Sequence, residues 1–363
     1  MGDDGWKYAV LSISCLAQVL GDQCADRRFA VLVSGVADRF ILEPTLQHVV
    51  APAAKLGWCV DYFLQLTRKW NKQWFDKKAL KWTQPVPSPY ASMPTEQFSE
   101  VVRTQALLYG ARHISFRLLD DPPAIDALTP DGNILRGIRY ANYPLQSELG
   151  RNQLRRLKQV EMLWNHTVAH ASGSIYDWVL LSRDDVYWAR DVDFEWFVQD
   201  RNISKQGVLY TYYCEQLPLN CLNEKVILMS GQIADRMMRM YSEIYYNDDL
   251  FLDYTNTVEE LVMRTALLHK VPIVQVKFRK LPFYVVQYTE LKGYGVTLCL
   301  RYTRTLPCMN GSIPEILHGR FGPACFVDPA RTSCMGPVNL SYPGCANLAR
   351  CSYWRYDLRL DYR

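Results

Sequence analysis

Short apolar runs that alternate with helically spaced segments constrain this chain more than any other feature, because that alternation builds a sheet of parallel strands with crossover helices. Residues 29–34 (FAVLVS) form a continuous apolar run, as expected of a strand buried on both faces. Gly35 ends that run, and residues 43–56 follow with Leu46, Val49, Val50, Ala53 and Ala54 at helical spacing. Gly57 closes the helix, and residues 58–66 (WCVDYFLQL) read as the next strand. Residues 113–118 predict a third strand. Residues 151–166 carry Leu154, Leu157, Val160, Met162 and Leu163 and predict a long amphipathic helix. Ser172-Gly173-Ser174 breaks the pattern before a buried strand at 176–181 (YDWVLL). Strands at 208–213, 226–229 and 271–276, with helices at 232–246 and 257–268, complete the series. The expectation is one α/β domain over residues 28–292, with a mostly parallel sheet and helices on both faces.

The flanks differ in character. Residues 1–27 include the apolar stretch 8–20 (YAVLSISCLAQVL), too short to span a bilayer. Asp3 and Asp4 outweigh Lys7 where a signal peptide carries positive charge. A signal or anchor remnant therefore stands beside a plain buried helix or strand as the reading of this segment. Residues 293–363 hold six of the eleven cysteines (Cys299, Cys308, Cys325, Cys334, Cys345 and Cys351), none spaced C-x-x-C. That argues for a small disulfide-stapled region in an oxidising compartment rather than a zinc site. Sequons at Asn165, Asn202, Asn310 and Asn339 agree with an N-glycosylated protein of the secretory pathway, in the Golgi or the ER lumen. The alternative is a cytosolic enzyme with buried free cysteines. A net charge of +4 over 363 residues leaves no electrostatic footprint for nucleic acid. Residues 68–82 are the only locally basic stretch, read either as a contact for an anionic acceptor or membrane surface, or as a solvated helix.

The chemistry concentrates at residues 176–188 (YDWVLLSRDDVYW). A buried strand there delivers Arg183, Asp184 and Asp185 to its carboxyl end, the edge where open α/β sheets bind ligands. Two carboxylates at that edge can hold a hard divalent cation, manganese or magnesium, which neutralises a departing diphosphate. The competing reading is a capping or surface ion cluster.

These residues resemble the nucleotide-diphospho-sugar transferase superfamily with the GT-A glycosyltransferase fold. Many of its members carry a strand of the form Y-D-h-h-h-h-x-R-x-D-h (h apolar), matched here by Tyr176, Asp177, Arg183 and Asp185. The resemblance implies that Asp185, supported by Asp184, binds the metal and the diphosphate of a nucleotide-sugar donor, with Arg183 shaping the same edge. The acceptor, whether glycan, lipid or protein, is not specified. The family's D-x-D signature is absent from this position. A literal D-x-D at Asp191 and Asp193 lies beyond Trp188 and ranks second.

Other candidates surround this segment. Gly35 would let the backbone approach the nucleotide, and Arg39 could reach phosphate. Arg151, Arg155 and Lys158 could present a basic stripe to the diphosphate, or simply face solvent. Asn223-Glu224-Lys225 occupies a stretch where similar proteins place acceptor-side polar residues. Glu259 and Glu260 open a late helix, where a carboxylate could act as base on an acceptor hydroxyl or favourably meet the helix dipole. No Walker-type, G-x-G-x-x-G or G-x-S-x-G motif is present. The expected function is transfer of a sugar from a nucleoside diphosphate to a hydroxyl. The alternative is a secreted or cell-surface binding protein that keeps the fold without turnover.

Overall fold

The computed structural model describes residues 27–68, 83–125, 148–171, 176–199, 207–212, 222–246, 258–276, 279–291, 295–300, 316–317 and 325–326. The core of the molecule is a seven-stranded sheet. Its strands are β1 (Arg28–Val36), β2 (Cys59–Thr67), β4 (Ala111–Leu119), β5 (Trp178–Arg183), β7 (Leu209–Tyr212), β8 (Val226–Ser230) and β9 (Ile273–Val276). Their order across the sheet is β4-β2-β1-β5-β8-β7-β9. β1 pairs parallel with both β2 and β5, β2 with β4, and β7 with β9, whereas β8 runs antiparallel to β5 and β7. The expectation of a mostly parallel α/β sheet holds, with one reversed strand that apolar patterning could not register.

Helices cover both faces. On one face lie α1, which runs over Glu43–Thr45, Leu46–Val50 and Ala51–Lys55, α2 (Thr95–Leu108) and the short α4 (Phe194–Gln199). Leu46, Val49, Val50, Phe98, Val102, Phe194 and Phe197 pack there against Val31, Val33, Tyr62 and Leu64. On the other face lie α3 (Glu148–His170), α5 (Gly231–Met238), α6 (Met240–Tyr246) and α7 (Val258–Leu268). Leu154, Leu157, Val160, Ile233, Met237, Leu261 and Val262 meet Ala30, Leu32, Val179 and Ile227 there. β2 and β8 are buried along their whole length, which explains the continuous apolar run of β8 and the mostly apolar one of β2.

The middle of α1 is a π-helical stretch, Leu46–Val50, which ends two residues before Pro52. Proline has no amide hydrogen to return to the His48 carbonyl, so the helix cannot keep its regular ladder there. That carbonyl instead accepts the Val192 amide at 2.9 Å, which fastens the 189–193 loop to α1.

A second, antiparallel sheet lies downstream. It comprises β3 (Thr83–Pro85), β10 (Phe283–Leu291), β11 (Gly295–Leu300), β12 (Ile316–Leu317) and β13 (Cys325–Phe326), in the order β12-β13-β11-β10-β3. β6 (Val186–Trp188) pairs with β10 and so joins this sheet to the end of β5. The expected boundary at residue 293 falls in the 292–294 connection of the β10–β11 pair, outside the described residues. Of the six tail cysteines, Cys299 and Cys325 are register partners on β11 and β13, and the other four lie outside the described set, as does most of the basic stretch 68–82. Cys59, at the start of β2, is disulfide-bonded. No described helix is long and apolar enough to cross a membrane.

Candidate functional site

The chain visits β1, β2 and β4 on one side before returning to place β5 on the other side of β1. That reversal makes the carboxyl ends of β1 and β5 a topological switch point, the crevice where ligands of open α/β sheets bind. Arg183 ends β5, and Asp184 and Asp185 form the turn into β6. Backbone bonds fix this turn on three sides. The Asp184 amide donates to the Ser34 carbonyl at 3.3 Å, and the Ile41 amide donates to the Asp184 carbonyl at 3.0 Å. The Arg183 amide reaches the Lys225 carbonyl at 3.0 Å, and the Val286 amide reaches the Asp185 carbonyl at 2.9 Å.

Gly35 is what lets the turn lie against β1. A Cβ at that position would stand 2.1 Å from Oδ1 and 2.5 Å from Cβ of Asp184, so only glycine admits the close approach. Rather than ending at Gly35, β1 continues through Val36. The following turn, Ala37–Arg39, then carries Arg39 back over the same carboxylate. Arg39 Nε donates to Asp184 Oδ2 at 2.9 Å and Nη2 to Oδ1 at 3.1 Å, while Nη1 stands 3.5 Å from Asp185 Oδ2. Arg183 Nη2 donates to the same Asp185 oxygen, and Nη1 donates to Glu224 Oε1 at 3.2 Å.

From Glu224 the network continues toward α7. Arg156 Nη1 donates to Glu224 Oε1 at 3.0 Å, and Lys225 Nζ donates to Glu224 Oε2 at 2.8 Å and to Glu259 Oε1 at 3.3 Å. Because β8 is reversed, its amino end lies beside the carboxyl end of β5, so the residues before β8 reach this crevice. Local bonds shape that approach. Asn223 Oδ1 accepts the Lys225 amide at 3.1 Å, an Asx turn, and Thr211 Oγ1 donates to the Asn223 carbonyl at 2.8 Å. The Leu222 amide donates to the Glu259 carbonyl at 3.1 Å, tying the loop to α7.

Burial sets the electrostatics. Asp184 and Asp185 are 1% and 0% exposed. Burial pushes the Asp184 carboxyl upward and the neighbouring Asp185 charge adds to this, against the pull of Arg39 and Arg183. Burial also works on Glu224, but Lys225, Arg156 and Arg183 outweigh it and hold that carboxyl well below the usual carboxylate range. Glu259 is pushed upward by burial and by the Glu224 charge. Lys225 is raised: burial opposes its charge, yet Glu224 and Glu259 outweigh burial. Four cations and four anions thus form one chain of contacts from the β1 turn to the start of α7.

The structure brings together Gly35, Arg39, Arg183, Asp184, Asp185 and Glu259 of the residues expected from sequence. Glu260 lies one position along α7 and is half-buried. Arg155 and Lys158 serve elsewhere: Arg155 Nη1 donates to Asn152 Oδ1 at 2.9 Å, and the Lys158 ammonium lies 5.0 Å from the centre of the Tyr241 ring. From α3 Arg156 and Gln159 reach the site, each one position along from Arg155 and Lys158. Gln159 Nε2 donates to the carbonyls of Gly35 at 3.0 Å and Gln65 at 2.9 Å. The buried polar residues Asn152 and Gln159 among the leucines of this helix were the available signal for that placement. Asp191 and Asp193 have local roles: Asp191 Oδ1 meets His48 Nδ1 at 2.7 Å, and Asp193 accepts the Trp196 amide at the start of α4 and the Lys280 ammonium at 2.8 Å.

A divalent cation needs carboxylate oxygens open to it and further ligands around it. Asp184 and Asp185 are sealed from solvent and held by guanidinium groups, and the Arg39 guanidinium spans both. Among the described residues, no group of three or more His, Cys, Asp or Glu side chains is arranged to hold a metal ion. As placed, these carboxylates do not fit the expected manganese or magnesium. No protein-family model matches the chain, and no curated protein matches it.

Proposed function

We propose that this chain is a glycosyltransferase of the GT-A type, transferring a sugar from a nucleoside-diphosphate donor to a hydroxyl acceptor. The observation that carries the reading is the convergence of Gly35, Arg39 and Asp184 at the switch point between β1 and β5. The seven-strand order with its single reversed strand supports the fold assignment. In this reading the donor diphosphate lies across the ends of β1 and β5, against Arg39. Glu259, whose carboxyl is raised by burial, stands at the far end of the same network as the group to receive the acceptor proton. The disulfide at Cys59 supports an oxidising compartment such as the Golgi or ER lumen.

Isothermal titration with uridine and guanosine diphosphates tests donor binding, and release of free sugar from nucleotide sugars tests turnover. Binding that is lost in a folded Arg39→Gln variant is the expected result. Absence of binding to either nucleotide would remove the reading. The sealing of Asp184 and Asp185 favours a second reading, a binding protein that keeps the fold without turnover. Sugar release, even if slow, would contradict it.

A further inference from the structure

We infer that Arg39 and Arg183, rather than a divalent cation, supply the positive charge at this site, so that a nucleoside diphosphate binds without metal. The inference rests on the donor reading above and replaces its expected cofactor.

Three observations carry it. First, the place a cation would take in bridging the two carboxylates is spanned by the Arg39 guanidinium. Two of its nitrogens bond Asp184 at 2.9 and 3.1 Å, and the third faces Asp185 at 3.5 Å. Second, both carboxylates are buried, on a turn whose backbone is pinned. Asp184 is wedged against Gly35, its amide and carbonyl are bonded to Ser34 and Ile41, and the Asp185 carbonyl is bonded to Val286. Third, Arg183 is fixed from two sides, by Asp185 and by Glu224, and lies at the carboxyl end of β5 beside β1. Buried acids in this arrangement orient arginines in the way that outer groups orient the ligands of a metal site. A planar guanidinium oriented by carboxylates in this way meets phosphate oxygens without the rotamer entropy cost of a mobile side chain.

The two views assign opposite roles to Asp184. If it is a metal ligand, Asp184→Asn removes a charge the cation needs, and nucleotide binding falls. If it is a holder of Arg39, the isosteric amide keeps the turn, leaves more guanidinium charge for the ligand, and binding in chelator is kept or strengthened.

The experiment is isothermal titration of the full chain with uridine diphosphate and guanosine diphosphate, in EDTA and in manganese. It compares the native chain with Arg39→Gln, Arg39→Lys and Asp184→Asn, each checked for folding by circular dichroism. The expected result is binding of at least one nucleotide in EDTA that manganese does not strengthen. Loss of charge-assisted hydrogen bonds in Arg39→Gln should weaken it about tenfold or more, with Arg39→Lys intermediate and Asp184→Asn at least as tight as native. Binding that appears only with manganese, or that Asp184→Asn abolishes in a folded protein, overturns the inference and leaves the donor reading standing. Absence of binding of both nucleotides under every condition overturns the two together.

Discussion

Replacing Gly35 by alanine is the most local test of how the turn is built. Residue 35 lies within a β-strand whose backbone alanine can adopt, so the substitution by itself should stabilise by about 0.4–1 kcal/mol through the unfolded chain. The native structure opposes this. The new Cβ would fall 2.1, 2.2 and 2.5 Å from three side-chain atoms of Asp184, including its own Cβ. Rotating the carboxylate away cannot clear a Cβ contact, and the Asp184 backbone is bonded on both sides. Either the strand and turn separate, which overpacking data place at about 1–3 kcal/mol, or the Arg39–Asp184 pair breaks inside the protein, at about 3–5 kcal/mol. Subtracting the unfolded-state gain, the net loss is about 0–3 kcal/mol by the first route and about 2–5 kcal/mol by the second. The assay is guanidinium unfolding followed by tryptophan fluorescence, for the native chain, Gly35→Ala, Asp184→Gly and the double variant. The three nearest atoms all belong to the Asp184 side chain, so in the Asp184→Gly background the alanine should be neutral or stabilising. The cycle then isolates the contact itself. A Gly35→Ala variant more stable than native, or one equally costly in both backgrounds, would refute the reasoning.

Other parts of the structure give separate expectations. Glu224→Ala leaves Arg183, Arg156 and Lys225 without their shared carboxylate and should cost about 3–5 kcal/mol in the same unfolding assay. Because the Glu224 carboxyl is held well below its unfolded value, its contribution is complete above the ordinary glutamate range and fades as pH falls toward the folded value. Acid titration of Glu224→Gln should therefore be flatter below about pH 4.3 than that of the native chain. His113 and His166 are lowered by burial, helped respectively by the His170 and Arg117 charges. They favour the fold when neutral, so stability should be full above about pH 6.5 and decline as pH falls below it. Melting curves across that window should show the decline, and His113→Gln should reduce it. Asp193→Ala removes a helix cap and an ion pair with Lys280 and should cost about 0.5–2 kcal/mol. It should leave nucleotide affinity unchanged in titration; a loss of affinity would return the D-x-D pair to the site.

The central strands were legible because burial on both faces leaves an unbroken apolar run, as in residues 29–33 and 178–181. Their direction was not, since apolar runs carry no polarity, and β8 is reversed. Helix α2 was missed: it follows a proline-rich stretch, and only Phe98, Val102 and Ala106 of its fourteen residues are buried. In the site, Arg183, Asp184 and Asp185 stood out as charges at the end of an apolar strand. What they would touch was hidden, because sequence spacing cannot tell a carboxylate facing a cleft from one sealed beneath an arginine 145 positions away. Arg156 lies one position from the expected stripe because basic residues alone do not define the phase of a helix. The buried Asn152 and Gln159 define the correct phase.

The span between Arg39 and Asp184 also has a consequence in time. At a synthesis rate of roughly 5–20 residues per second, the 145 positions that separate them take roughly 7–30 s to emerge. During that interval β1 can pair with β2, and β2 with β4, but the side of β1 meant for β5 has no partner. It is an exposed edge of a strand that is apolar over residues 29–33, and such edges recruit other strands. Newly made chains should therefore be most prone to aggregate, and most dependent on chaperones, just before β5 arrives. The same event closes both the edge and the arginine–aspartate crevice.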